Sequence, residues 1–494
     1  MKLFDRQKKW EINLYSYYDH AGIVRHLEDM ARQGWQLEKA GSVFWTYRRC
    51  KPAELRYAVV YFSKASQFDP EPPAEQREFW ELCKATGWEL VTNRYQMQIF
   101  RNPAPDAIPI ETDPVVQVEN VRAAMKKGSV RGDWWLLAGS LLQLWLQFRS
   151  AYTIRDLLLS TFTLSAILIW LMLGINAIVE LTAYYRWYRK AKAAAREEGI
   201  LLSPRSRKWL QILQIMFLVV IVTIDLPILF LDPSRSPSTR MVILVSLFCY
   251  AVLLLIIYGS RQLMKKKGFS AEANMGLNIL IAIVGTFVLM GGLIWMSFRV
   301  ADDPGLRGHV NAETRTSPAY PAGDTEHTYT VYHDPLPLTV EDLVGETVYK
   351  DYSCYREIQG SPLLTEYTYK QEVPFVFSIS EQDGPELLYE IYEVKLNCLY
   401  EPVKQSFFTD TVYNIPGRFK FAVSQSWTPV DAAPWGALDA YRFIREDNTP
   451  IGNFLLCYAD RFVEIRFDPW YDGAEPTEKQ MALVGTVLGS GPLS

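Results

Sequence analysis

Histidine and cysteine are scarce in this chain, which has five histidines and six cysteines among 494 residues. The cysteines are scattered and form no CxxC pair or cysteine–histidine box, which argues against a structural zinc site. The nucleotide-binding and catalytic motifs GxxxxGK(S/T), GxGxxG, HExxH and GxSxG are also missing. We therefore expect no catalytic residue, no metal site and no cofactor, and we interpret the chain as a protein that is not an enzyme.

The chain also lacks a large net charge of either sign. The chain carries 51 basic and 55 acidic residues, a formal net charge of −4, so we expect no nucleic-acid partner. The first residues, MKLFDR, lead into a strand-like segment without an apolar core, and we therefore expect no signal peptide.

Five long apolar segments fill the middle third of the chain. They are Trp134–Tyr152, Leu157–Tyr184, Trp209–Leu231, Met241–Gly259 and Met275–Phe298. Each is close to the roughly 20 residues that a helix needs to cross a hydrocarbon core of about 30 Å. The sequence therefore predicts a five-helix transmembrane block in the lipid bilayer, within residues 134–298. The first segment is short and contains Gln143 and Gln147, and an interfacial helix is its alternative.

Basic residues beside these segments predict the orientation of the chain, because positively charged loops stay in the cytoplasm. Fifteen lie before the first segment, between the second and third, and between the fourth and fifth, against six in the alternate loops. The richer set is Lys126, Lys127, Arg131, Arg186, Arg189, Lys190, Lys192, Arg196, Arg205, Arg207, Lys208, Arg261, Lys265, Lys266 and Lys267. The poorer set is Arg149, Arg155, Arg235, Arg240, Arg299 and Arg307. We predict a multi-pass protein of the cell membrane with a cytoplasmic N-terminus and an extracellular C-terminal domain.

The first 105 residues contain an internal sequence repeat. Segments 27–37 and 80–90 each resemble a helix that ends at a Gly, followed by a Trp and a strand. The wider pattern predicts strands Trp10–Tyr18, Ser42–Arg49, Leu55–Ser63 and Glu89–Thr92 and helices His20–Gln33 and Pro73–Thr86. Whether Glu89–Thr92 continues into Gln96–Arg101 or pairs with it stays open. The two halves predict an α+β ferredoxin-like N-terminal domain over residues 1–105.

A series of motifs in about the first 120 residues resembles a known family. The motifs are Tyr15-Ser-Tyr-Tyr18-Asp19, segment 26–37, Arg56-Tyr57, Cys83-Lys-Ala-Thr-Gly87-Trp88, Gln98-Ile99-Phe100 and Pro109-Ile-Glu111-Thr112-Asp113. They are similar to the uncharacterised bacterial domain-of-unknown-function family twenty-eight-twelve. The resemblance implies a membrane protein with this domain at its cytosolic end, and for some members an association with regulators of the PadR type. It implies no catalytic residues.

Two features of the N-terminal domain could form a binding site. Asp19 and His20 lie where the first strand meets the first helix, and polar groups can gather at a helix N-terminus. Capping of the helix by Asp19 is the alternative. Four tryptophans could line a groove for a small molecule, with core packing as the alternative: Trp35, Trp45, Trp80 and Trp88.

Residues 106–133 are predicted to form a linker and a juxtamembrane helix that Thr112 caps. Beyond them, the apolar segments contain few ionisable side chains. Glu180 lies near the cytosolic end of the second segment and Asp225 near the external end of the third. An intramembrane charge is a functional hypothesis by default. Both are close to an interface, so a hydrated charge without a transport role is the alternative.

Residues 299–324 contain polar residues, Pro and Gly, and are predicted to form a stalk. Residues 325–494 show short β-rich runs separated by turn residues, followed by a helix over Thr477–Leu488, which predicts a mostly-β C-terminal domain. His309, His327 and His333 lack the spacing of metal ligands, and we expect them in loops. Cys354, Cys398 and Cys457 form either one disulfide and a free thiol or three buried thiols.

The pattern as a whole favours a non-enzymatic sensor or signalling component that links an external β domain to a cytosolic domain. A transport or export accessory subunit is the alternative. The expected partners are the lipid bilayer and a protein on either side, and the sequence does not identify a ligand.

Overall fold

The computed structural model describes residues 7–150, 153–231, 237–301, 311–317, 327–345, 352–374, 385–409, 411–414, 420–423, 426–444, 449–468 and 476–490. The chain divides into two compact units. One comprises Met1–Leu144, Leu168–Val222 and Phe248–Met290, and the other comprises Trp145–Ile167, Thr223–Leu247 and Gly291–Ser494. The division falls within the apolar helices, so each soluble domain belongs to one unit together with the helix segments that pack on it.

The N-terminal domain is a duplicated βαββ motif. The first copy contains β1 (Lys8–Ile12), α1 (His20–Arg32), β2 (Trp35–Ala40) and β3 (Phe44–Arg49). The second contains β4 (Arg56–Tyr61), α2 (Ala74–Ala85), β5 (Glu89–Arg94) and β6 (Met97–Asn102). The strands form two three-stranded antiparallel sheets of the same order, β1-β3-β2 and β4-β6-β5. The sequence repeat in the first 105 residues thus corresponds to a repeated structural unit.

The predicted ferredoxin-like split sheet is wrong in its strand pairing. A short hairpin joins β2 to β3, and another joins β5 to β6. The second strand of each hairpin takes the centre of its sheet, beside the first strand of the same half. Each hairpin closes only a short loop, which costs little chain entropy. The third strand of each sheet is the first strand of the same half, so neither sheet mixes strands of the two halves. Of the two alternatives for Glu89–Thr92, pairing with the following strand is the correct one.

The helix ends of the two halves follow the predicted glycine pattern. Gly34 and Gly87 come just after α1 and α2 and have φ values of 79° and 87°. Glycine adopts this left-handed conformation at little cost. A Cβ at Gly34 would also lie 2.9 Å from the carbonyl oxygen of Cys50, so a side chain there is excluded on two grounds.

Seven helices follow the N-terminal domain. They are α3 (Pro114–Lys127), α4 (Ser129–Ser150), α5 (Ile154–Leu159), α6 (Thr161–Glu197), α7 (Lys208–Leu231), α8 (Pro237–Lys266) and α9 (Ala271–Ala301). Four described stretches are long and apolar enough to cross a membrane: Thr161–Glu197, Lys208–Ile228, Arg240–Lys266 and Ala271–Met296. The prediction of five spans is not confirmed. The first predicted span is helix α4, whose Gln143 and Gln147 lower its apolar character.

Asp113, rather than Thr112, caps helix α3. Its carboxylate accepts hydrogen bonds from the backbone N–H groups of Val115 and Val116, and Pro114 occupies the first turn. The juxtamembrane helix is therefore present, with its cap one residue later than predicted.

The C-terminal domain is built on a seven-stranded antiparallel sheet. Its described strands and helices, in chain order, are β7 (Ala312–Ser317), β8 (His327–Tyr332), α10 (Val340–Val344), β9 (Ser353–Gly360), β10 (Leu364–Glu372), β11 (Glu386–Val394), α11 (Tyr400–Ser406), β12 (Thr411–Asn414), β13 (Lys420–Val423), β14 (Ser426–Val430), β15 (Asp439–Ile444), β16 (Pro450–Cys457), β17 (Arg461–Asp468) and α12 (Glu478–Leu488). The sheet order is β14-β15-β16-β17-β11-β10-β9. The domain is mostly β, as predicted.

Each face of this sheet carries its own apolar core. One face packs Tyr369 and Ile465 against α10 and α12. The other packs Tyr392 and Phe462 against α11 and against α5, the short helix between α4 and α6. The second predicted span, Leu157–Tyr184, therefore begins too early: Leu158 belongs to α5 and to this core, and the long apolar helix α6 begins at Thr161.

Part of the predicted stalk is a strand. β7 lies in residues 299–324 and pairs with β8, whereas residues 302–310 and 318–326, which include His309, lie outside the described residues. No group of three or more potential metal ligands occurs in the described part of the chain. Cys354, Cys398 and Cys457 are free thiols in the structure. Cys398 is exposed, so the alternative of three buried thiols is wrong for that residue.

Candidate functional site

Asp19 and His20, two of the predicted binding residues, lie beside helix α6. Asp19 caps α1, since its carboxylate accepts a hydrogen bond from the backbone N–H of Gly22 at 2.9 Å. His20 is half-buried, with its ring centroid 6.4 Å from that of Trp187 on α6. Burial raises the pKa of the Asp19 carboxyl and lowers the pKa of the His20 imidazole, so it favours the neutral form of each. Asp19 and His20 are thus part of the packed contact between the start of α1 and helix α6.

Trp35 and Trp88 occupy different environments. Trp35 packs at the edge of the main core of the N-terminal domain, and the Arg49 guanidinium lies 5.2 Å from its ring centroid. Trp88 is buried in a smaller core with Cys83, and its indole N–H donates to the carbonyl of Ile108 at 2.9 Å. The two rings therefore pack in separate clusters, as the core-packing alternative proposed.

The N-terminal domain docks on helix α6 through an aromatic cluster. The ring of Tyr18 lies 5.4 Å from Trp187 and 5.6 Å from Tyr184, measured between centroids, and all three side chains are buried. The hydroxyl of Ser16 donates to the carboxylate of Glu180 at 3.1 Å. We call these five residues the α6 contact. Its three aromatic residues, Tyr18, Tyr184 and Trp187, belong to the same apolar core as the domain's own helix α1.

Helix α3 strengthens this arrangement from a second direction. The hydroxyl of Tyr188 on α6 donates to Glu119 on α3 at 3.2 Å, and Lys192 lies 3.7 Å from the same carboxylate. The Arg122 guanidinium lies 4.9 Å from the Tyr188 ring centroid. The end of α6 is therefore held by both the domain and the juxtamembrane helix.

The two intramembrane carboxylates have separate partners. Glu180 pairs with Ser16, as above, whereas Asp225 on α7 accepts a hydrogen bond from the hydroxyl of Ser165 on α6 at 2.8 Å. They belong to different units of the chain. Each carboxylate thus accepts a hydrogen bond from a serine hydroxyl.

The C-terminal domain holds the short helix α5 in a similar way. Leu158 is buried with Leu364 and Val403, and its carbonyl accepts a hydrogen bond from the hydroxyl of Ser361 at 2.5 Å. The Arg155 guanidinium lies 4.3 Å from the ring centroid of Phe407 and 4.6 Å from that of Tyr392. We call these contacts of Arg155 and Leu158 the α5 contact.

Three glutamates from adjacent strands act electrostatically on Arg155. Glu366 is on β10, Glu390 on β11 and Glu464 on β17, and the last two stand directly opposite each other. Burial alone would lower the pKa of Arg155, but Tyr392 and the three carboxylates outweigh it and raise the pKa. Arg155 therefore stays charged, and it offsets the repulsion between the carboxylates.

The glutamates themselves are held in an unfavourable environment. Burial is the main cause that raises the pKa of Glu366 and of Glu464, and the charge of Glu390 adds to it. Between the ordinary and the raised pKa, the folded domain binds more protons than the unfolded chain. The contribution of these groups to stability is therefore fully present below the ordinary pKa, about 4.3 for a glutamate, and falls as the pH rises through the raised values.

Replacing Glu366 with glutamine is expected to flatten this pH dependence and to leave the domain as stable as the wild type at neutral pH, or more stable. The amide keeps an oxygen that accepts from the side chain of Gln359 and removes the buried charge. Thermal unfolding of the full-length protein in detergent between about pH 4 and 8 measures the effect. Glu357→Gln, an exposed position on β9, is the control and should follow the wild type.

Sequence reasoning missed the role of Arg155. It counted only as an external loop charge, because its ring partners follow more than 200 residues later in the chain. A local signal did exist for α5: Thr153 and Asp156 form a capping box, the pattern that opens a helix.

Four described helices are long and apolar enough to cross a membrane, which is consistent with a multi-pass membrane protein. Residues 21–129 match the model of a family described as "Protein of unknown function (DUF2812)". This match confirms the family resemblance, and its range extends from α1 through α3. Neither a curated protein nor a solved structure matches the chain.

Proposed function

We propose that this protein is a non-enzymatic membrane sensor or signalling component in which helix α6 carries conformational change between two soluble domains. The observation that supports this best is the continuity of one stretch, Thr153 to Glu197, whose two ends enter different buried cores. Leu158 belongs to the core of the C-terminal domain, and Trp187 belongs to that of the N-terminal domain. A stimulus that favours one packing arrangement at either end would then shift the equilibrium at the other.

The proposal places the N-terminal domain in the cytoplasm and the C-terminal domain outside the cell, with α4 as a fifth span. The unequal distribution of fifteen and six basic residues supports this topology. The apolar surface of α4 supports its insertion in lipid, since Trp135 is 74% exposed and Leu141 61% exposed. An association with PadR-type regulators remains a prediction, and it would supply a protein partner in the cytoplasm.

Thiol labelling of intact cells tests the topology. An impermeant maleimide should label native Cys398, which is exposed, without permeabilisation. A background with Cys50→Ser, Cys354→Ser and Cys398→Ser lacks the exposed and half-buried thiols of the two soluble domains. In it, a cysteine placed by Ser203→Cys in the basic loop before α7 should react only after the membrane is opened. The opposite pattern at either position would contradict the proposed separation of the domains.

A transport or export accessory subunit is the alternative function. It is favoured by the hydrogen bond between Asp225 and Ser165, because Asp225 lies about half a turn before Pro227, a residue that can kink helix α7. If this alternative holds, Asp225→Asn abolishes a substrate flux that depends on the protein, while a sensor keeps its response in the same variant.

A further inference from the structure

We propose that one corner of the first sheet, formed by Trp10, Ile12, Val43 and Phe44, is a lipid-binding surface that inserts into the interface of the bilayer holding α6 and α7. This surface, here called the hairpin tip, is the end of β1 together with the turn between β2 and β3. The hairpin tip would contact the same membrane that holds the protein's own helices. This inference goes beyond the signalling proposal, because lipid binding at the tip requires no signal.

The four side chains are exposed although they are large and apolar. The exposed fractions are 67% for Trp10, 44% for Ile12, 58% for Val43 and 51% for Phe44. Ile12 stands opposite Phe44 in the pairing of β1 with β3, and Trp10 lies two residues before Ile12 on the same face. The carbonyl of Val43 accepts a hydrogen bond from the N–H of Asn13 at 2.8 Å, which closes the tip. The side chains therefore form one patch.

Polarity changes along the same face of the sheet. At the far end, Lys8 stands opposite Arg48, and the Arg48 guanidinium donates to Glu38 at 2.7 Å. Apolar side chains thus collect at one end of the strands and charged ones at the other. This distribution is the one expected of a domain whose apolar end contacts a membrane and whose charged end faces water.

The apolar end is also the end that leads into the membrane helices. Residues 13–18, which follow β1, contain Ser16 and Tyr18 of the α6 contact. Tyr15 stacks on Trp45, the residue after Phe44, with centroids 6.1 Å apart. The Lys208 ammonium lies 3.9 Å from the Tyr15 ring centroid, and Lys208 is the first residue of the apolar stretch in α7.

The chemistry around this point suits a lipid interface. Trp209, next to Lys208, is 66% exposed, and tryptophans concentrate at the level of lipid headgroups. Arg205, Arg207 and Lys208 precede or begin the helix and can attract lipid phosphates. The hairpin tip would insert two aromatic rings and two aliphatic side chains at the same level. Four side chains are few for a stable protein interface, which needs roughly 1,000 Å² or more of buried surface.

Quenching by brominated lipids tests this inference on the full-length protein in nanodiscs that contain one copy each. A bimane label is attached at Val43→Cys. The matched control is Lys51→Cys, an exposed position two residues beyond the opposite end of β3. Both variants carry Cys50→Ser, Cys249→Ser, Cys354→Ser and Cys398→Ser, which remove the exposed and half-buried native thiols. Bromines near the top of the acyl chains should quench the Val43 label at least about threefold more than the Lys51 label.

Two results would overturn the inference. One is equal quenching at the two positions, which would place the hairpin tip in water. The other is shielding of the Val43 label that appears only when two copies share a disc, which would assign the surface to a second copy. Phe44→Ser in the labelled protein should lower the quenching at Val43, because the exposed side chain adds apolar area without supporting the core.

Discussion

Replacing Arg155 with alanine is expected to destabilise the C-terminal domain by about 2–3 kcal/mol. The change removes a cation held against two aromatic rings and leaves Glu366, Glu390 and Glu464 close together without their compensating charge. Unfolding of the domain in the full-length protein, followed by heat or by limited proteolysis, measures the loss.

Two further variants separate charge from packing. Arg155→Lys should recover part of the stability, because it keeps the charge and loses the planar contact with the rings. Adding Glu366→Gln to Arg155→Ala should also recover part of it, because one buried carboxylate is then neutral. Arg149→Ala removes a charge from the same inter-helix region at an exposed position and should have little effect. Equal effects of the two alanine substitutions would contradict the role given to Arg155.

Replacing Trp187 with alanine is expected to cost about 3–5 kcal/mol of packing energy and to release the N-terminal domain from helix α6. Trp187 is 8% exposed and contacts Tyr18 and Tyr184. Amide hydrogen exchange in α1 and in residues 13–18 should become faster by about two to four orders of magnitude. This is the factor to which such a loss of free energy corresponds when exchange follows local opening.

Tyr185→Ala is the matched control for this substitution. Tyr185 lies two residues before Trp187 and is 44% exposed. Removing the Tyr185 side chain therefore leaves the contact between Trp187 and Tyr18 in place. Exchange in the N-terminal domain of this variant should stay within a few-fold of the wild type. If both variants exchange equally fast, the aromatic cluster does not hold the domain.

The sequence predicted best what is determined locally. Gly34 and Gly87 marked two helix ends because only glycine adopts that backbone conformation cheaply. Asp19 was correctly considered as a cap because capping needs only the residues of the next turn. Long apolar stretches identified four helices because hydropathy depends on composition over about 20 residues.

Features that depend on distant residues were missed or predicted wrongly. The order of strands in the N-terminal sheets depends on pairings between residues distant in the chain, such as Ile12 with Phe44, and a strand pattern does not contain that information. The burial of Trp187 depends on Tyr18, nearly 170 residues earlier, and the position of Arg155 depends on Tyr392 and Phe407. Periodicity identifies an apolar or charged residue, but its partner is set by the tertiary fold.

If helix α6 couples the two domains, a disturbance at one end of the helix reaches the other. Hydrogen exchange in the C-terminal domain of the Trp187→Ala variant, full-length and in nanodiscs, measures this directly. We expect exchange in α5 and β10 to become faster than in the wild type and in Tyr185→Ala. Faster exchange confined to the N-terminal domain, with α5 and β10 unchanged, would contradict the claim.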